Sequence, residues 1–203
     1  MISEIPRTLI LATRNAGKVR EIKSLLSNFP GEIKSLVDFP DLPEVVEDGD
    51  TLEQNAIKKA RETYATLHIP ALSDDSGLEV YALGMKPGVY SARYAGEHDN
   101  YADNNRKLLH EMREISHDQR RARFRCVAAF VGDQMQSVSE GICEGMILEE
   151  PRGNGGFGYD PLFVPEGFLE TFAELPIEVK NRLSHRARAI GMMSESLRKY
   201  FQR

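Results

Sequence analysis

Two adjacent acids follow a short apolar stretch, in the segment SDDSG at residues 73–77. Neighbouring carboxylates at the end of a buried strand repel each other and are costly to desolvate unless a cation or a proton lies near them. In an extended chain Asp74 and Asp75 point to opposite faces. We therefore expect one to reach Mg²⁺ or activate a water molecule while the other caps the following turn, with an ordinary Asx turn as the competing interpretation.

A second candidate is TRNAGK, residues 13–18, where an apolar run ends and a helical pattern begins. Backbone N–H groups at a helix N-terminus attract phosphate, a glycine lets the chain approach closely, and a lysine adds a point charge. The segment is not a Walker A loop, because the GxxxxGK[ST] pattern is absent. It predicts either an anion site or a helix cap beside a solvated lysine.

The segment VKNRLSHRARA, residues 179–189, places cations at a loop-to-helix junction. With Ser184 as N-cap, His185 and Arg186 occupy the first helical positions, and Lys180 lies shortly before them. Cations are unfavourable in a first helical turn because of the macrodipole. Two of them there suggest that an anion compensates their charge.

Two further segments carry groups that could contribute to a site. The acids of PEVVEDGDT, residues 43–51, are solvated by default, although one of them could complete a hard-cation site: Glu44, Glu47, Asp48 and Asp50. GGFGYDPLF, residues 155–163, combines backbone freedom with aromatic surface that could stack on a ring.

The elements that must position these groups alternate between strands and helices. Strands are predicted for RTLILAT and IPALSDDSGLEV, the latter a short strand that runs into an acidic turn. Helices are predicted for KVREIKSLLSNF, for the run that begins at Thr51, for residues 99–115 and for residues 184–201. Thr51 with Gln54 three residues on predicts a capping box at the start of the second helix. One side of the last helix is predicted to carry Ala187, Ile190, Met193 and Leu197. RARFRCVAAFVG and MQSVSEGICEGMIL, separated by two residues, predict an antiparallel hairpin. The order predicts an α/β fold with an antiparallel portion, in one domain over residues 1–203.

Composition narrows the class of protein. The formal net charge of −5 argues against a general nucleic-acid binder. Cys126 and Cys143 lie far apart without a CxxC pair, and the apolar run near the start is too short for a signal peptide or membrane span. We therefore expect a cytoplasmic protein with reduced thiols.

Six motifs together resemble the non-canonical purine nucleoside triphosphate pyrophosphatases, the inosine/xanthosine triphosphatase family. In chain order they are ATRNAGKVREI, SDDSGLEV, PGVYSARYAG, GGFGYDPLFVPEG, TFAEL and KNRLSHRARA, and the resemblance covers essentially the whole chain. It implies Mg²⁺-dependent hydrolysis of dITP, ITP or XTP to the monophosphate and pyrophosphate. It also implies a homodimer without nucleic-acid or membrane partners, whose subunit has an elongated two-lobed α/β fold around a long mixed central sheet, with the active-site cleft between the lobes.

The resemblance also implies roles for individual residues. It makes Asp75 the general base and a magnesium ligand, and Ser76 a substrate contact. Glu47 matches the second metal ligand; the family's EETG-like segment reads VEDGDT here, which leaves Glu44 as the alternative. The triphosphate would bind Thr13, Arg14, Asn15, Ala16, Gly17 and Lys18. The base pocket and the neighbouring phosphate end would be lined by Phe157, Gly158, Tyr159, Asp160, Lys180, His185 and Arg186.

Three other classes of protein compete with this interpretation. A nucleotide sensor without hydrolysis would lack the acid after the strand, and Asp75 is present. An HD-type metal phosphohydrolase would use the His-Asp pairs of EHDN and SHDQ, which lack a suitable upstream histidine. A purely structural protein would use RARFRC, whose three arginines share one strand face, as an interaction edge. Arg93 in PGVYSARYAG is a secondary candidate for contacting a phosphate or a partner subunit.

Overall fold

The computed structural model of the chain describes residues 7–96 and 100–202. The strands in this part of the chain are β1 (Thr8–Leu11), β2 (Glu32–Ser35), β3 (Ala71–Val80), β4 (Lys86–Pro87), β5 (Arg121–Gly132), β6 (Met135–Ile147) and β7 (Phe163–Pro165). The α-helices are α1 (Ala16–Leu25), α2 (Leu52–Leu67), α3 (Tyr101–Glu111), α4 (Ile177–Leu183) and α5 (His185–Phe201).

The strands form a seven-stranded mixed sheet. Its order is β2-β1-β3-β5-β6-β7, and β4 pairs with β3. β1 runs parallel to β2 and β3, whereas β4 is antiparallel to β3 and β7 is antiparallel to β6. β5 and β6 are neighbours joined by two residues, as the hairpin prediction requires. The predicted α/β class with a mixed central sheet is confirmed.

The chain divides into two compact units. The first contains the residues up to Asp75, Cys126–Gly141 and the residues from Arg186 onward. Its core packs β1, α1 and α5 around the buried ring of Phe130. Four positions predicted to share one side of α5 are all buried, which confirms the helical periodicity there. They are Ala187, Ile190, Met193 and Leu197.

The second unit contains Ser76–Arg125 and Ile142–His185. Its core is rich in aromatic rings: Phe124 packs edge-on against Phe163, with ring centroids 4.7 Å apart, and both lie near Phe172. β3, β5 and β6 each contribute residues to both units. The expectation of a single domain over residues 1–203 stays a prediction.

Helix α2 begins with the predicted capping box. The Thr51 hydroxyl accepts a hydrogen bond from the Gln54 amide at 3.1 Å, and the Gln54 side chain accepts one from the Thr51 amide at 3.2 Å. The face that α2 buries includes Ala56 and Ala60, and between them the cationic Lys59. A buried lysine requires anionic partners, so this helix face predicts a charged site beneath it.

The acidic segment SDDSG does not form the predicted turn. It lies inside the ten-residue strand β3, so the prediction that the strand ends before it is wrong. The extended backbone is maintained because the polar groups find partners there: Ser73 donates to the Ala56 carbonyl at 2.5 Å, and both carboxylates contact buried cations. Gly77 fits within the strand because a Cβ atom at that position would collide with the Gly88 carbonyl.

The helix predicted for residues 99–115 is shorter than expected. Among the described residues it begins at Tyr101, where the Asn100 side chain accepts from the Asp103 amide at 3.2 Å, and it ends at Glu111.

Two of the predictions from sequence concern residues that the structure does not describe. These residues are 98 and 99 of the EHDN pair and the first six residues, on which the signal-peptide argument depends. None of the described helices is long and apolar enough to cross a membrane.

Candidate functional site

The N-terminus of α1 lies directly after β1, as TRNAGK predicts. Asn15 is the N-cap, and its side-chain oxygen accepts a hydrogen bond from the Lys18 amide at 3.1 Å. Thr13 supports the same turn, because its hydroxyl accepts from the Asn15 amide at 3.2 Å. No acidic residue lies in the first turn of this helix. The positive end of the helix dipole therefore lacks local compensation from its own first turn, which favours an anion.

Arg14 binds the protein's own backbone. Its guanidinium donates to the carbonyls of Leu36, Phe39 and Leu42 at 2.7, 3.2 and 2.7 Å. These contacts fix the segment that follows β2. The predicted contact between Arg14 and substrate stays a prediction, whereas its contact with this segment is established.

Helix α2 holds the acidic loop before it through three successive residues. Glu47 accepts from Lys59 at 2.6 Å, Asp48 accepts from Lys58 at 2.6 Å, and the Gly49 amide donates to Asn55 at 2.8 Å. Glu44 is exposed. Of the two acids proposed as the upstream metal ligand, Glu47 is thus the one that the helix brings to a buried cation.

Lys59 joins that loop to β3. Its ammonium lies 2.6 Å from Glu47 Oε1 and 3.2 Å from Asp75 Oδ1. Although burial opposes its charge, the carboxylates of Asp75, Glu47 and Asp74 raise the pKa of Lys59 above its ordinary value. Lys59 is therefore a permanent cation at neutral pH that holds two carboxylates near each other.

Asp75 is the most unusual acid of this group. Burial raises the pKa of Asp75, and the neighbouring ammonium groups of Lys59 and Lys18 partly oppose that rise. Its second oxygen, Oδ2, is buried and has no hydrogen-bond partner among the described residues. A buried carboxylate oxygen without a donor is costly, so it marks a position where a water molecule or a cation would be favourable.

The sequence predicts that one of the two acids caps the turn after the strand, but Asp74 does not cap a turn. It is fully buried, and its Oδ2 accepts from Arg186 Nε and Nη2 at 3.1 and 3.0 Å. The Lys18 ammonium lies 3.2 Å from the same oxygen. Asp74 and Asp75 thus serve different cations, which is what the alternation of an extended strand predicts.

Arg186 is almost completely buried in the first turn of α5, as predicted from the position of Ser184. Besides its contacts with Asp74, its Nη1 donates to Glu21 Oε2 at 2.5 Å. Although burial opposes the charge, Asp74 and Glu21 raise the pKa of the guanidinium above its ordinary value. The anions that compensate this cation are therefore carboxylates of the protein itself.

In the second unit, the loop at residues 155–160 folds around the buried carboxylate of Asp160. Asp160 Oδ2 accepts from the Phe157 amide at 2.9 Å and from the Lys180 ammonium at 2.5 Å. Gly156 has a φ of 69°, and a Cβ atom there would collide with this carboxylate. The glycines therefore provide a tight turn around Asp160, which presents the half-buried Phe157 ring.

Phe157 has an aromatic residue and a cation as neighbours. Its ring centroid is 6.1 Å from that of Tyr101 and 5.3 Å from the Lys180 ammonium. Tyr159 is buried in the core, where its hydroxyl donates to the Ser91 carbonyl at 2.9 Å. His185 is also buried, with its ring stacked 4.6 Å from Phe124. An aromatic face beside a cation is suited to binding a planar heterocycle.

The predicted site residues thus form two groups, one in each unit. The first unit holds Thr13, Arg14, Asn15, Ala16, Gly17, Lys18, Glu47, Asp75 and Arg186, and the second holds Ser76, Phe157, Gly158, Tyr159, Asp160, Lys180 and His185. Sequence reasoning missed Lys59 and Glu21. The signal for Lys59 was present, because it lies between Ala56 and Ala60 on the face that an apolar period predicts as buried.

The arrangement is that of an α/β protein with a helix N-terminus for an anion and a buried acid beside a fixed lysine. The chain belongs to the Ham1 family, whose model matches residues 9–196. A dITP/XTP pyrophosphatase from Geobacter sulfurreducens is 51% identical over 191 residues, which cover 93% of this chain and 96% of that relative.

Solved structures agree with this membership. A HAM1 protein from Coxiella burnetii has a TM-score of 0.84 and 37% identity, covering 95% of this chain and 98% of that one. The Ham1 protein of Staphylococcus aureus has a TM-score of 0.82 and 36% identity, covering 95% and 99%. The fold described above is therefore shared with proteins of the same family.

Proposed function

We propose that this protein hydrolyses dITP, ITP and XTP to the nucleoside monophosphate and pyrophosphate, and so removes these nucleotides from the nucleotide pool. Water attacks the α-phosphorus, the bond from that phosphorus to the bridging oxygen breaks, and pyrophosphate leaves. The name dITP/XTP pyrophosphatase of the Geobacter sulfurreducens relative supports this substrate class. The motifs that resemble the inosine/xanthosine triphosphatases are consistent with it.

The observation that carries the chemistry is the buried Asp75 carboxylate. Its Oδ1 is fixed by Lys59 at 3.2 Å, while its Oδ2 has no hydrogen-bond partner among the described residues. A carboxylate that acts as general base needs an oxygen that can accept a proton from water. Its pKa should also be raised from the ordinary value towards neutrality. Burial shifts the pKa of Asp75 in that direction. Asp75 is therefore assigned to take the proton of the attacking water at Oδ2.

The phosphates are assigned to the start of α1. A nucleoside triphosphate carries about four negative charges, which cations and backbone donors must compensate. The N–H groups of the first turn and the Lys18 ammonium supply such donors. Because Lys18 contacts the buried Asp74, its ammonium is held in place before a ligand binds. This reduces the ordering cost of binding.

The residues present are compatible with Mg²⁺. Glu47 and Asp75 would hold the ion, because Mg²⁺ is often bound by one or two carboxylates together with water and substrate phosphates. The described residues contain no cluster of three or more His, Cys, Asp or Glu side chains, so the remaining ligands would be phosphate oxygens and water. When bound, the ion supplies charge compensation for the phosphates. Lys59 keeps both carboxylates in position in its absence.

The base is assigned to the loop that presents Phe157. Stacking on an aromatic ring does not distinguish one purine from another, so selection requires polar groups. Donors that face O6 are left unpaired when the 6-amino group of adenine enters, which disfavours ATP. Lys180, His185 and Arg186 are the proposed sources of such donors, with Tyr159 and Asp160 shaping the pocket and Ser76 contacting substrate.

Product analysis tests this proposal directly. Purified protein with Mg²⁺ is incubated with dITP, ITP, XTP, GTP and ATP, and pyrophosphate and orthophosphate are measured separately. We expect the first three to give pyrophosphate and monophosphate in equal amounts, with ATP much slower. Orthophosphate as the sole product from ITP would contradict the assignment.

The metal site gives a separate prediction. EDTA should abolish hydrolysis and added Mg²⁺ should restore it. Glu47→Gln should raise the Mg²⁺ concentration for half-maximal activity by at least about tenfold, because even residues outside the ligand sphere typically cost tenfold or more. Glu44→Gln is the matched control and should leave the Mg²⁺ titration unchanged. The reverse result for the two variants would transfer the ligand role to Glu44.

The acidic side of the pH profile follows from Asp75. A general base acts in its ionised form, and burial places the pKa of Asp75 above its ordinary value of 3.8. In the enzyme without bound Mg²⁺, falling pH should therefore protonate Asp75 at a higher pH than an exposed aspartate, and kcat/KM measured at subsaturating Mg²⁺ should fall with it. A pH series with ITP measures this limb. Full activity maintained down to about pH 4 would mean that no base with a raised pKa takes part.

The proposal extends to cellular setting and assembly. Cys126 and Cys143 are buried and do not form a disulfide, which supports the reducing cytoplasm as the location. A homodimer is proposed on the family resemblance and would be tested by light scattering of the purified protein. The net charge of −5 supports a small-molecule substrate rather than a nucleic acid.

The alternatives receive less support. A nucleotide sensor would not need a buried carboxylate with a raised pKa beside a fixed lysine. An HD-type site would need an upstream histidine partner for the His-Asp pairs of EHDN and SHDQ, and the sequence supplies no suitable one. A structural protein would use RARFRC as an interaction edge. Arg123 of this segment instead donates to Glu79 at 2.6 Å within its own unit, which weakens that interpretation. Arg93 lies over the ring of Tyr90 at 5.2 Å and stays a secondary candidate.

A further inference from the structure

Helix α3 contacts the loop that presents Phe157, although no motif in the sequence connected the two. The Asn105 amide nitrogen donates to the carbonyl oxygen of Gly158 at 3.1 Å. One turn earlier on the same helix, the Tyr101 ring lies 6.1 Å from the Phe157 ring. Residues four apart on a helix share a face, so one side of α3 is directed at this loop.

The hydrogen bond from Asn105 acts on a glycine that has open space where a side chain would lie. Gly158 has a φ of 63°, and a Cβ atom built on it would meet nothing within 4 Å. The Asp160 carboxylate accepts from the amide of Phe157, and Asn105 donates to the carbonyl of the following residue. Asp160 thus holds the backbone at the amide of Phe157, and Asn105 holds it at the carbonyl of Gly158.

The Asn105 side chain is poorly suited to a role in stability alone. Its carbonyl oxygen Oδ1 is buried and accepts no hydrogen bond from the described residues. A buried polar atom without a partner is unfavourable, and an apolar side chain of similar size would avoid that cost. The neighbouring Asn104 is different, because its amide binds the backbone of Ser91, Ala92 and Ala95.

We propose that Asn105 is a positioning residue for the nucleobase: its hydrogen bond to Gly158 fixes the orientation of the Phe157 ring on which the purine stacks. This inference rests on the proposed function, because it assigns the loop to the base of the nucleotide. It predicts that Asn105 affects the binding of the base and neither the binding of phosphates nor the chemical step.

The test compares four single variants with wild type. Asn105→Ala removes the amide, and Asn105→Asp keeps its shape but places an oxygen opposite the Gly158 carbonyl. Arg106→Ala on the same helix is the matched control, because its side chain is 75% exposed. Asn104→Ala is the structural comparison. For each protein we would measure kcat and KM for ITP, inhibition by IMP and by pyrophosphate, and the melting temperature.

Both Asn105 variants should raise KM for ITP, by about three- to tenfold for the loss of one hydrogen bond, with kcat within about twofold of wild type. Inhibition by IMP should weaken by the same factor, whereas inhibition by pyrophosphate, which has no base, should not change. Arg106→Ala should match wild type in every measurement. Asn104→Ala should lower the melting temperature, and the Asn105 variants should not.

Equal weakening of IMP and pyrophosphate inhibition, an unchanged KM, or a loss confined to kcat would each overturn the inference. If wild type released no pyrophosphate from ITP, the proposed function would fail instead. Direct binding of IMP by calorimetry then still decides the role of Asn105: weaker binding by Asn105→Ala supports the inference, and binding equal to wild type, or absent in wild type, refutes it.

Discussion

Asp75→Asn is expected to lower kcat for ITP by at least about a thousandfold, within the range that general acid–base catalysis contributes. The amide cannot accept the proton of the attacking water and is a weak ligand for a divalent cation. The fold should persist with reduced stability, because the substitution keeps the shape of the side chain and Lys59, which loses the Asp75 carboxylate, retains Glu47 at 2.6 Å. Pyrophosphate release measures activity, and urea titration measures the free energy of unfolding.

A matched control is provided by Asp48, one residue after Glu47. Asp48 also accepts a hydrogen bond from a lysine of α2, at 2.6 Å from Lys58 Nζ, but this pair lies at the surface. Asp48→Asn should therefore leave hydrolysis within about twofold of wild type, since exposed ion pairs contribute little. Near-normal turnover by Asp75→Asn would remove Asp75 from the mechanism.

Local sequence patterns were sufficient for most of the fold. The apolar period of residues 187–197 predicted the buried side of α5, and Thr51 with Gln54 predicted the start of α2. The two long β-rich runs separated by two residues predicted the hairpin. Each of these features depends on residues close together in the chain, where periodicity and capping preferences apply directly.

The error at SDDSG has a physical cause. Five small or acidic residues in a row normally predict a turn, because their side chains bind nearby backbone. In β3 their partners come from elsewhere: the carbonyl of Ala56, the ammonium of Lys59 and the guanidinium of Arg186. Such partners are not visible from the segment itself, so a strand of buried polar residues cannot be predicted locally.

The same limit applies to the site. The types of residue that each unit gathers around its buried charges could be predicted, but the pairing of those charges could not. Arg186 binds Glu21 across 165 residues of sequence, and no local rule selects that partner. The sequence suggested only that an anion compensates Arg186 and did not identify that anion as a pair of carboxylates of the protein.

Arg186→Met is expected to destabilise the protein by about 3–5 kcal/mol, the cost of breaking a buried ion pair by removing one partner. The substitution leaves Asp74 without its guanidinium donors and Glu21 without the Arg186 contact. Urea titration of wild type and variant measures the loss. Arg198→Met is the control: Arg198 is exposed on the same helix, so its removal should change stability by no more than about 0.5 kcal/mol.

A triple variant makes the test independent of whether Arg186→Met folds. Combining it with Asp74→Asn and Glu21→Gln replaces all three charges with neutral side chains of similar size. Stability should recover substantially, because no carboxylate or guanidinium of this group remains buried without its partner, and Lys18, which loses the Asp74 carboxylate, is partly exposed. No recovery would mean that the guanidinium acts through its shape and packing. The ratio of kcat/KM for ITP to that for ATP, measured below the melting temperature, then decides the remaining question. An unchanged ratio in a folded Arg186 variant would restrict Arg186 to holding Asp74 and Glu21, whereas a narrowed ratio would support its direct contact with the base.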